Sequence, residues 1–282
     1  MSRFTTYLRR FTKYFFLASL LLALLVSAFL WYVTTDSFQN LVRARLVAAI
    51  ERATGGRAEL GSFHVVPLRF LVEVRDLTIH GREGPGEIPL VHVDSLSAIV
   101  DLSSVLGSRI AFHSLSLRHP VVHVIFYPDG STNQPSPKQS AGNFEQLFSI
   151  GIDRLDVKDG ELLWQDQPLP LQFVTNDVSA TLDYSFLHRR YSGAVSVGKA
   201  ETQFDGLRPV VWTGQANFTI NSSAIEIRSL SLSSEKSQLH AKGTVTSLSN
   251  PVFKGSYDLV LDLQQAGQSG RNGHAILRQW RD

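Results

Sequence analysis

The chain of 282 residues contains no cysteine, and this absence sets the first limits on its chemistry. Without thiols there is no disulfide framework, no thiolate metal site and no cysteine-based catalysis. The absence leaves the compartment open, because an oxidising space permits disulfides without requiring them.

A strong excess of charge is also missing. The chain has 27 Lys and Arg residues against 25 Asp and Glu, a formal net charge of +2. Much of that surplus lies in the N-terminal tail, so the remainder of the chain is close to neutral. No basic stripe is left for nucleic acid, and we expect no nucleic-acid partner.

Motifs of catalysis are absent as well. There is no Gly-rich phosphate loop, G-x-S-x-G elbow or H-E-x-x-H pair. The histidines cannot all be assigned to one face of a strand, and the aspartates surround a predicted Lys-Asp-Gly turn. Surface positions are therefore favoured over a metal site for both groups. We therefore expect no enzyme, no cofactor and no metal. The weighed groups are His113, His119 and His123, and Asp153, Asp156 and Asp159.

One long hydrophobic run is present, Tyr14 to Val33, and its 20 residues contain no charge. That length predicts a transmembrane helix. The tail 1–13 carries four basic residues and no acidic ones, which places the N-terminus in the cytoplasm and the body across the membrane. A cleaved signal peptide is the alternative, since Val26-Ser27-Ala28 has cleavage-site spacing. An uncleaved anchor is favoured because Phe29 to Val33 continue the apolar run.

A short amphipathic helix over residues 36–55 is predicted next. Asp36 and Ser37 are suitable N-cap residues, and Gly55-Gly56 supplies the stop. Its apolar face either contacts the membrane surface or covers the end of a sheet. The second role is favoured because the helix is short and not markedly basic. The face comprises Phe38, Leu41, Val42, Leu46, Ala49, Ile50 and Ala53.

From Arg57 onward, short alternating runs of Val, Ile, Leu, Phe and Thr predict β-strands. A first β region covers 57–130, a Pro/Ser-rich flexible loop covers 131–143, and a second β region covers 144–263. An irregular tail of 264–282 follows. Asp129-Gly130 has the composition of a tight turn. The fold class is thus mainly β, behind one transmembrane and one amphipathic helix.

One hydrophobic spacing repeats within these strands: an alternating apolar pair, a two-residue polar gap, and a second pair. Its first three copies begin at 72, 91 and 110, in steps of 19 residues. The copies are Val72, Val74, Leu77 and Ile79; Val91, Val93, Leu96 and Ala98; Ile110, Phe112, Leu115 and Leu117; Ile150, Ile152, Leu155 and Val157; and Ile225, Ile227, Leu230 and Leu232.

The gap decides the shape of the sheet. In a regular strand, one inserted residue turns every later side chain to the other face. A β-bulge absorbs that residue, returns both apolar pairs to one side and bends the strand. Repeated bulges predict a curled antiparallel sheet, an open groove lined by the repeated residues. Alternatively, each gap is a strand end with a turn, and the strands form an ordinary β-sandwich.

Several stretches match one known family. The chain resembles the N-terminal part of the AsmA-like/TamB superfamily of bacterial envelope proteins. The most specific element is the strand Pro-Val-Val-His-Val that leads to the turn of Asp129, Gly130 and Asn133. The other stretches are Thr54-Gly-Gly-Arg57, Leu60-Gly-Ser-Phe63, Val72 to Ile79, Val105 to Phe112, Leu115 to Pro120, Leu230 to Ser234, Leu239 to Gly243 and Tyr257 to Leu263.

This resemblance implies an inner-membrane protein that projects a curled β-sheet into the periplasm. It implies phospholipids as cargo along an apolar groove, and outer-membrane assembly proteins as partners. Family members usually continue for many hundreds of residues, whereas about 12 strands here would extend only ~60 Å. A membrane-tethered β-sandwich that binds or scaffolds without lipid transfer is the alternative function.

Overall fold

The structure is a computed structural model that describes residues 2–66, 69–84, 86–100, 111–135, 151–205, 208–235, 237–246 and 252–260. Several predictions lie outside the described residues. They concern Ile110, Ile150, most of the loop 131–143 and the tail 264–282.

The N-terminal helix, α1, covers Ser2–Val33. It contains a 21-residue segment, Lys13–Val33, that is long and apolar enough to span a membrane. This agrees with the predicted span 14–33, and the helix also continues backwards over the basic tail. At its end the ring of Tyr32 packs edge-on against Phe38, with centroids 5.7 Å apart.

The second helix, α2, covers Asp36–Thr54. Thr35, not the predicted Asp36 or Ser37, is its N-cap: the Thr35 side chain accepts a hydrogen bond from the Phe38 N–H. Asp36 instead begins the helix, where a carboxylate interacts favourably with the helix dipole. As predicted, Gly55 ends the helix in the left-handed conformation (φ 78°) and donates to the Glu51 carbonyl at 2.8 Å.

Eleven strands follow α2, and they form a single sheet. Their bounds are β1 Arg57–Val66, β2 Leu71–His80, β3 Val91–Val100, β4 Phe112–Phe126, β5 Arg154–Asp166, β6 Leu171–Ser185, β7 Arg190–Phe204, β8 Val210–Ile220, β9 Ala224–Ser233, β10 Gln238–Thr246 and β11 Val252–Val260.

The strand order across the sheet is the order along the chain, from β1 to β11. Every neighbouring pair is antiparallel except β4 and β5, which run parallel with Leu117 opposite Val157. Antiparallel neighbours can be joined by a short turn, whereas a parallel pair needs a longer connection between the opposite ends of its two strands.

The mainly β architecture behind two helices is confirmed, but the sheet differs from the prediction in two respects. It is mixed, because of the parallel β4–β5 pair, and it is open and uncurled. The predicted curl required a bulge near the middle of successive strands. In β2 and β3 the two gaps face each other, since Arg75 pairs with Ser95 and Leu77 with Val93. Neither strand has an extra residue relative to the other, so this pair contains no bulge.

Strands β4 and β5 are longer than predicted. Pro120, directly after His119, and the Asp159-Gly160 pair were expected to interrupt them. Instead His119 (φ 51°) and Asp159 (φ 55°) take left-handed backbone conformations within continuous strands. The chain kinks at each point and then continues in the same sheet. Asp156 and Asp159 are therefore strand residues and not turn residues.

The buried core lies at the β1–β3 end of the sheet, under α2. Its buried members come from three strands, and Leu46, Val47 and Ile50 of α2 pack against them. Arg43 fixes the helix by donating to the Leu60 carbonyl at 2.6 Å. This arrangement agrees with the predicted role of α2 as cover for the sheet. The buried members are Leu60, Val74, Leu77, Ile79 and Val93.

Candidate functional site

The predicted apolar repeats fall on one face of the sheet. On β2, Val74 and Leu77 lie on either side of the polar gap, yet both are buried in the same core. Their partners on β3 are Leu96 and Val93, which also belong to the repeat. The two apolar pairs of a repeat therefore point to the same side, as the spacing predicted.

A continuous row of apolar side chains crosses this face. Cross-strand register links one residue from each strand, from β1 to β11, and every one is apolar. We call this row the apolar strip. Its members are Phe63, Val74, Leu96, Leu117, Val157, Ala180, Val195, Ala216, Leu230, Ala241 and Tyr257.

The strip contains five of the predicted repeat positions. Six others lie on the rungs that flank the strip on β2 to β5: Val72, Ala98, Leu115 and Leu155 on one side, and Leu77 and Val93 on the other. The remaining ones pair Ile79 with Val91, Phe112 with Ile152, Ile225 with Val245, Ile227 with Gly243, and Leu232 with Leu239.

Six strip residues are not among the predicted repeat positions: Phe63, Ala180, Val195, Ala216, Ala241 and Tyr257. They lie on strands that lack the gapped repeat. On β6 the plain alternation of half-buried and exposed residues marks the same face, and that alternation was the available signal.

Within the residues that the structure describes, a helix covers the strip at one end only. Val74 is 1% exposed beneath α2, whereas Val157, Ala180 and Leu230 are half-buried. At the far edge Tyr257 is 71% exposed. Among the described residues, α2 is the only helix that packs on the sheet. The apolar face therefore passes from a packed core near the helices to an uncovered surface on the later strands.

The polar gaps take two structural forms, a left-handed kink and a β-bulge. In β2, Asp76 is left-handed (φ 54°), and Gly61 on β1 lies so close that an added Cβ would be 2.8 Å from the Asp76 Cβ. The same device recurs on β6 and β7, where a Cβ on Gly198 would be 2.9 Å from the Cβ of left-handed Asp177. In both places the strand kinks at a left-handed aspartate, and the adjacent strand has a glycine where a side chain would collide with it.

Two of the other gaps are the predicted bulges. Arg228 of β9 is an extra residue, since Asn217 and Phe218 pair with Ser229 and Ile227. On β4, His113 is the extra residue relative to β3, and its Nδ1 lies 3.2 Å from the Asp153 carboxylate. Asp153 is thus an ion-pair partner of a bulge residue.

A polar chain crosses the strands at the row of kinks. His119 Nδ1 lies 2.8 Å from Asp94 Oδ2, and His119 Nε2 lies 3.4 Å from Glu161 Oε1. Asp94 also lies 3.3 Å from His92. The hydrogen bond with His119 lowers the pKa of Asp94, and the hydrogen bond with Asp94 raises the pKa of His119.

These ionisable groups do not form a metal centre. Among the described residues, no group of three or more His, Cys, Asp or Glu could hold a metal ion. The third predicted surface histidine, His123, is instead 4% exposed, which corrects its placement. Its ring nitrogens lie 3.4 Å from the Ile88 carbonyl and from Gln165 Oε1. The long strand β4 carries it into the sheet, where those two groups surround it.

The predicted turn motif supports strand β4. Asp129 accepts hydrogen bonds from the Ser131 N–H and hydroxyl, and Gly130 is left-handed (φ 80°). The chain then folds back so that Asn133 is fully buried. Its side chain accepts from the Ile125 N–H at 2.9 Å and donates to the His123 carbonyl at 2.7 Å. The Asn133 side chain therefore takes the place of a neighbouring strand along the end of β4.

The comparisons with known proteins add no name to this geometry. No protein-family model matches the chain. Nor does any curated protein show significant similarity to it.

Proposed function

We propose that this chain is a single-pass inner-membrane protein of AsmA/TamB type. Its N-terminus lies in the cytoplasm and its sheet in the periplasm, as the basic tail ahead of Lys13–Val33 favours. The sheet carries phospholipids on its apolar face and so supports assembly of the outer membrane and envelope. Outer-membrane assembly proteins are the proposed partners at the distal end.

The observation that carries this proposal is the uncovered part of the apolar strip. Monomeric soluble proteins rarely expose apolar patches larger than a few hundred Å². Between β4 and β11 the strip crosses seven strand spacings of ~4.8 Å, or ~34 Å, with half-buried or exposed apolar residues along it. Acyl chains suit such a surface, because hydrophobic burial is non-directional and needs no polar partners.

The position of the anchor supports the same function. Two residues, Thr34 and Thr35, separate α1 from α2, and α2 packs directly on the covered end of the strip. The apolar face therefore begins beside the membrane segment and crosses the sheet from there to β11. A lipid leaving the bilayer would meet this face within the same molecule.

The alternative function is a membrane-tethered binding or scaffolding domain without lipid transfer. The β-sandwich predicted for this alternative requires two sheets packed face to face. The described strands form one sheet, so the strip does not pack against a second sheet within the described residues. A protein partner on the same face is the form of the alternative that a test must distinguish.

Site-specific photo-crosslinking tests the proposal in cells that make the full chain. A photoreactive residue replaces Ala180 on the apolar face, and the matched control replaces its neighbour Thr181, which is exposed on the polar face. We expect phospholipid adducts at 180 and none at 181. Protein adducts at 180 would support the scaffolding function, and equal lipid labelling at both positions would contradict a lipid-binding face.

A further inference from the structure

The hairpin turn between β6 and β7 presents an apolar tip that the apolar strip does not explain. Leu187 is 88% exposed, the highest value among the large hydrophobic residues of the described ranges, and Phe186 is 71% exposed. The two are adjacent at the apex of the turn. The two side chains form one contiguous exposed apolar patch, and contiguous patches rimmed by polar residues mark protein or membrane contact sites when they are large.

The tip is held in place by the strands beneath it. Tyr184 stacks on Phe186 at 4.9 Å and on Tyr191 at 4.8 Å, and Tyr191 is buried. The Ser185 hydroxyl lies 3.1 Å from His188 Nδ1, which braces the turn. The apolar pair is therefore displayed on an ordered base of aromatic rings, a residue type enriched at membrane–water interfaces.

Charge near the tip is positive. Arg189 and Arg190 follow the apolar pair after His188, and Arg69 lies in the β1–β2 turn at the same rim. Two acidic residues lie nearby, and both have basic partners: Asp183 is paired with Arg154 at 2.8 Å, and Asp153 lies 3.2 Å from His113 Nδ1.

The opposite rim has the reverse character. Its described turns carry five carboxylates against Arg82 and Arg208. The carboxylates are Glu83, Glu87, Asp129, Asp205 and Glu235. The two rims of the sheet therefore differ in sign.

The basic rim also faces the anchor. Gly55-Gly56 joins the end of α2 to the start of β1, at the acidic rim. Moving backwards along α2, Glu51 accepts from the Ala58 N–H and Arg43 donates to the Leu60 carbonyl, so the helix advances toward the end of β1. Strand directions place the β6–β7 turn at that same rim. The start of α2, which follows the membrane helix, points to the rim that carries the tip.

We propose that the β6–β7 tip, Phe186 to Arg190, docks on the surface of the anionic phospholipid bilayer that α1 spans. Phe186 and Leu187 enter the interfacial region, while the two arginines contact lipid phosphates. A protein partner fits less well, because a stable protein interface needs at least about 1,200 Å² and the turn offers five residues. This contact goes beyond the proposed function, since it concerns the rim and not the apolar face.

The absence of cysteine allows a direct test in the full chain. Leu187→Cys is labelled with an environment-sensitive fluorophore and reconstituted in nanodiscs that contain nitroxide-labelled lipids. The matched control is Leu169→Cys, an exposed leucine in the β5–β6 turn at the acidic rim (64% exposed). We expect the label at 187 to shift to shorter wavelengths and to be quenched several-fold more than the label at 169.

Lipid charge provides the second arm of the test. Quenching at 187 is expected to be stronger with phosphatidylglycerol than with phosphatidylcholine alone, and to fall to the phosphatidylcholine level in the R189Q/R190Q variant. Quenching at 187 no greater than at 169 in both bilayers would overturn the proposal. So would photo-crosslinking of residue 187 to polypeptide and not to lipid in cells. Neither result bears on adducts at Ala180, so this proposal and the proposed function fail separately.

Discussion

At the residue scale, Asn133 connects a predicted turn motif to the stability of the sheet. Its side chain satisfies two backbone groups of β4 that no strand reaches, the Ile125 N–H and the His123 carbonyl. Sequence alone marked Asn133 as part of a motif, but the role depends on a contact that only the folded β4 provides. The motif therefore stabilises the fold by hydrogen bonds to the backbone of β4.

The Asn133→Ala variant should lose about 2–4 kcal/mol of unfolding free energy, because each buried group left unpaired costs about 1–3 kcal/mol. Urea unfolding of the full chain in detergent measures this loss. Asn221→Ala is the control: Asn221 also accepts backbone hydrogen bonds in a turn, but it is exposed, and we expect a loss below about 1 kcal/mol. Equal losses would contradict the assigned role of Asn133.

The pair of Asp94 and His119 predicts a pH-dependent contribution at the kink row. The raised pKa of His119 means that its contribution is complete below its ordinary value of 6.5 and is lost as pH rises through the folded-state pKa. The lowered pKa of Asp94 means that its contribution is present above 3.8 and is lost as pH falls through the folded-state pKa. The pair therefore stabilises most between about pH 4 and 6.5.

His119→Asn tests this window, because asparagine tolerates the left-handed backbone at this position but does not titrate. The two side chains are 40% and 51% exposed, so we expect a loss below about 1 kcal/mol near pH 5 that shrinks toward pH 8. Thermal unfolding at both pH values measures it. A pH-independent loss in His119→Asn would refute the pair's role.

At the scale of the element, the kinks explain why the sequence predicted which face of the sheet a residue occupies but not where strands β4 and β5 end. Apolar spacing identified the buried face, since Val74 and Leu77 fall together across the gap. The strand ends at Pro120 and Gly160 were misjudged because turn-forming residues were taken to stop a strand. Neighbouring strands on both sides hold His119 and Asp159 in the sheet, and no local signal reports that.

The Gly198–Asp177 contact offers a test of the kink device. Gly198→Ala should cost about 1–3 kcal/mol, because its Cβ would meet the Asp177 Cβ at 2.9 Å. In an Asp177→Gly background that obstacle is gone and the cost should nearly vanish, so a double-mutant cycle measures a coupling of similar size. Gly84→Ala, whose nearest neighbour would lie at 3.5 Å, should be close to neutral. Additive losses in the cycle would show that the contact is not the cause.

At the scale of the whole molecule, the sheet separates two chemical surfaces. One face carries the apolar strip, and the other carries polar residues such as Thr181 and Asp183. The helix α1, which is long and apolar enough to span a membrane, is followed by α2 after two residues. Because α2 packs on the start of the apolar face, that face begins close to α1 along the chain.

The sequence predicted this separation better than it predicted the shape of the sheet. Hydrophobic periodicity reports which face a residue occupies, and the repeats therefore found the apolar face. The parallel β4–β5 pair depends on the path of the chain between residues 126 and 154, which no pattern of spacing specifies. The curl was inferred from individual strands, but curvature depends on whether neighbouring gaps align, and those of β2 and β3 do.

The most direct test of the account is a photo-crosslinking scan along the strip in cells that make the full chain. Strip positions Leu117, Ala180 and Leu230 are each compared with a neighbour on the polar face: Ser116, Thr181 and Ser229. The account predicts phospholipid adducts at all three strip positions and at none of the neighbours. Adducts that ignore this alternation, or their absence from all three strip positions, would contradict it.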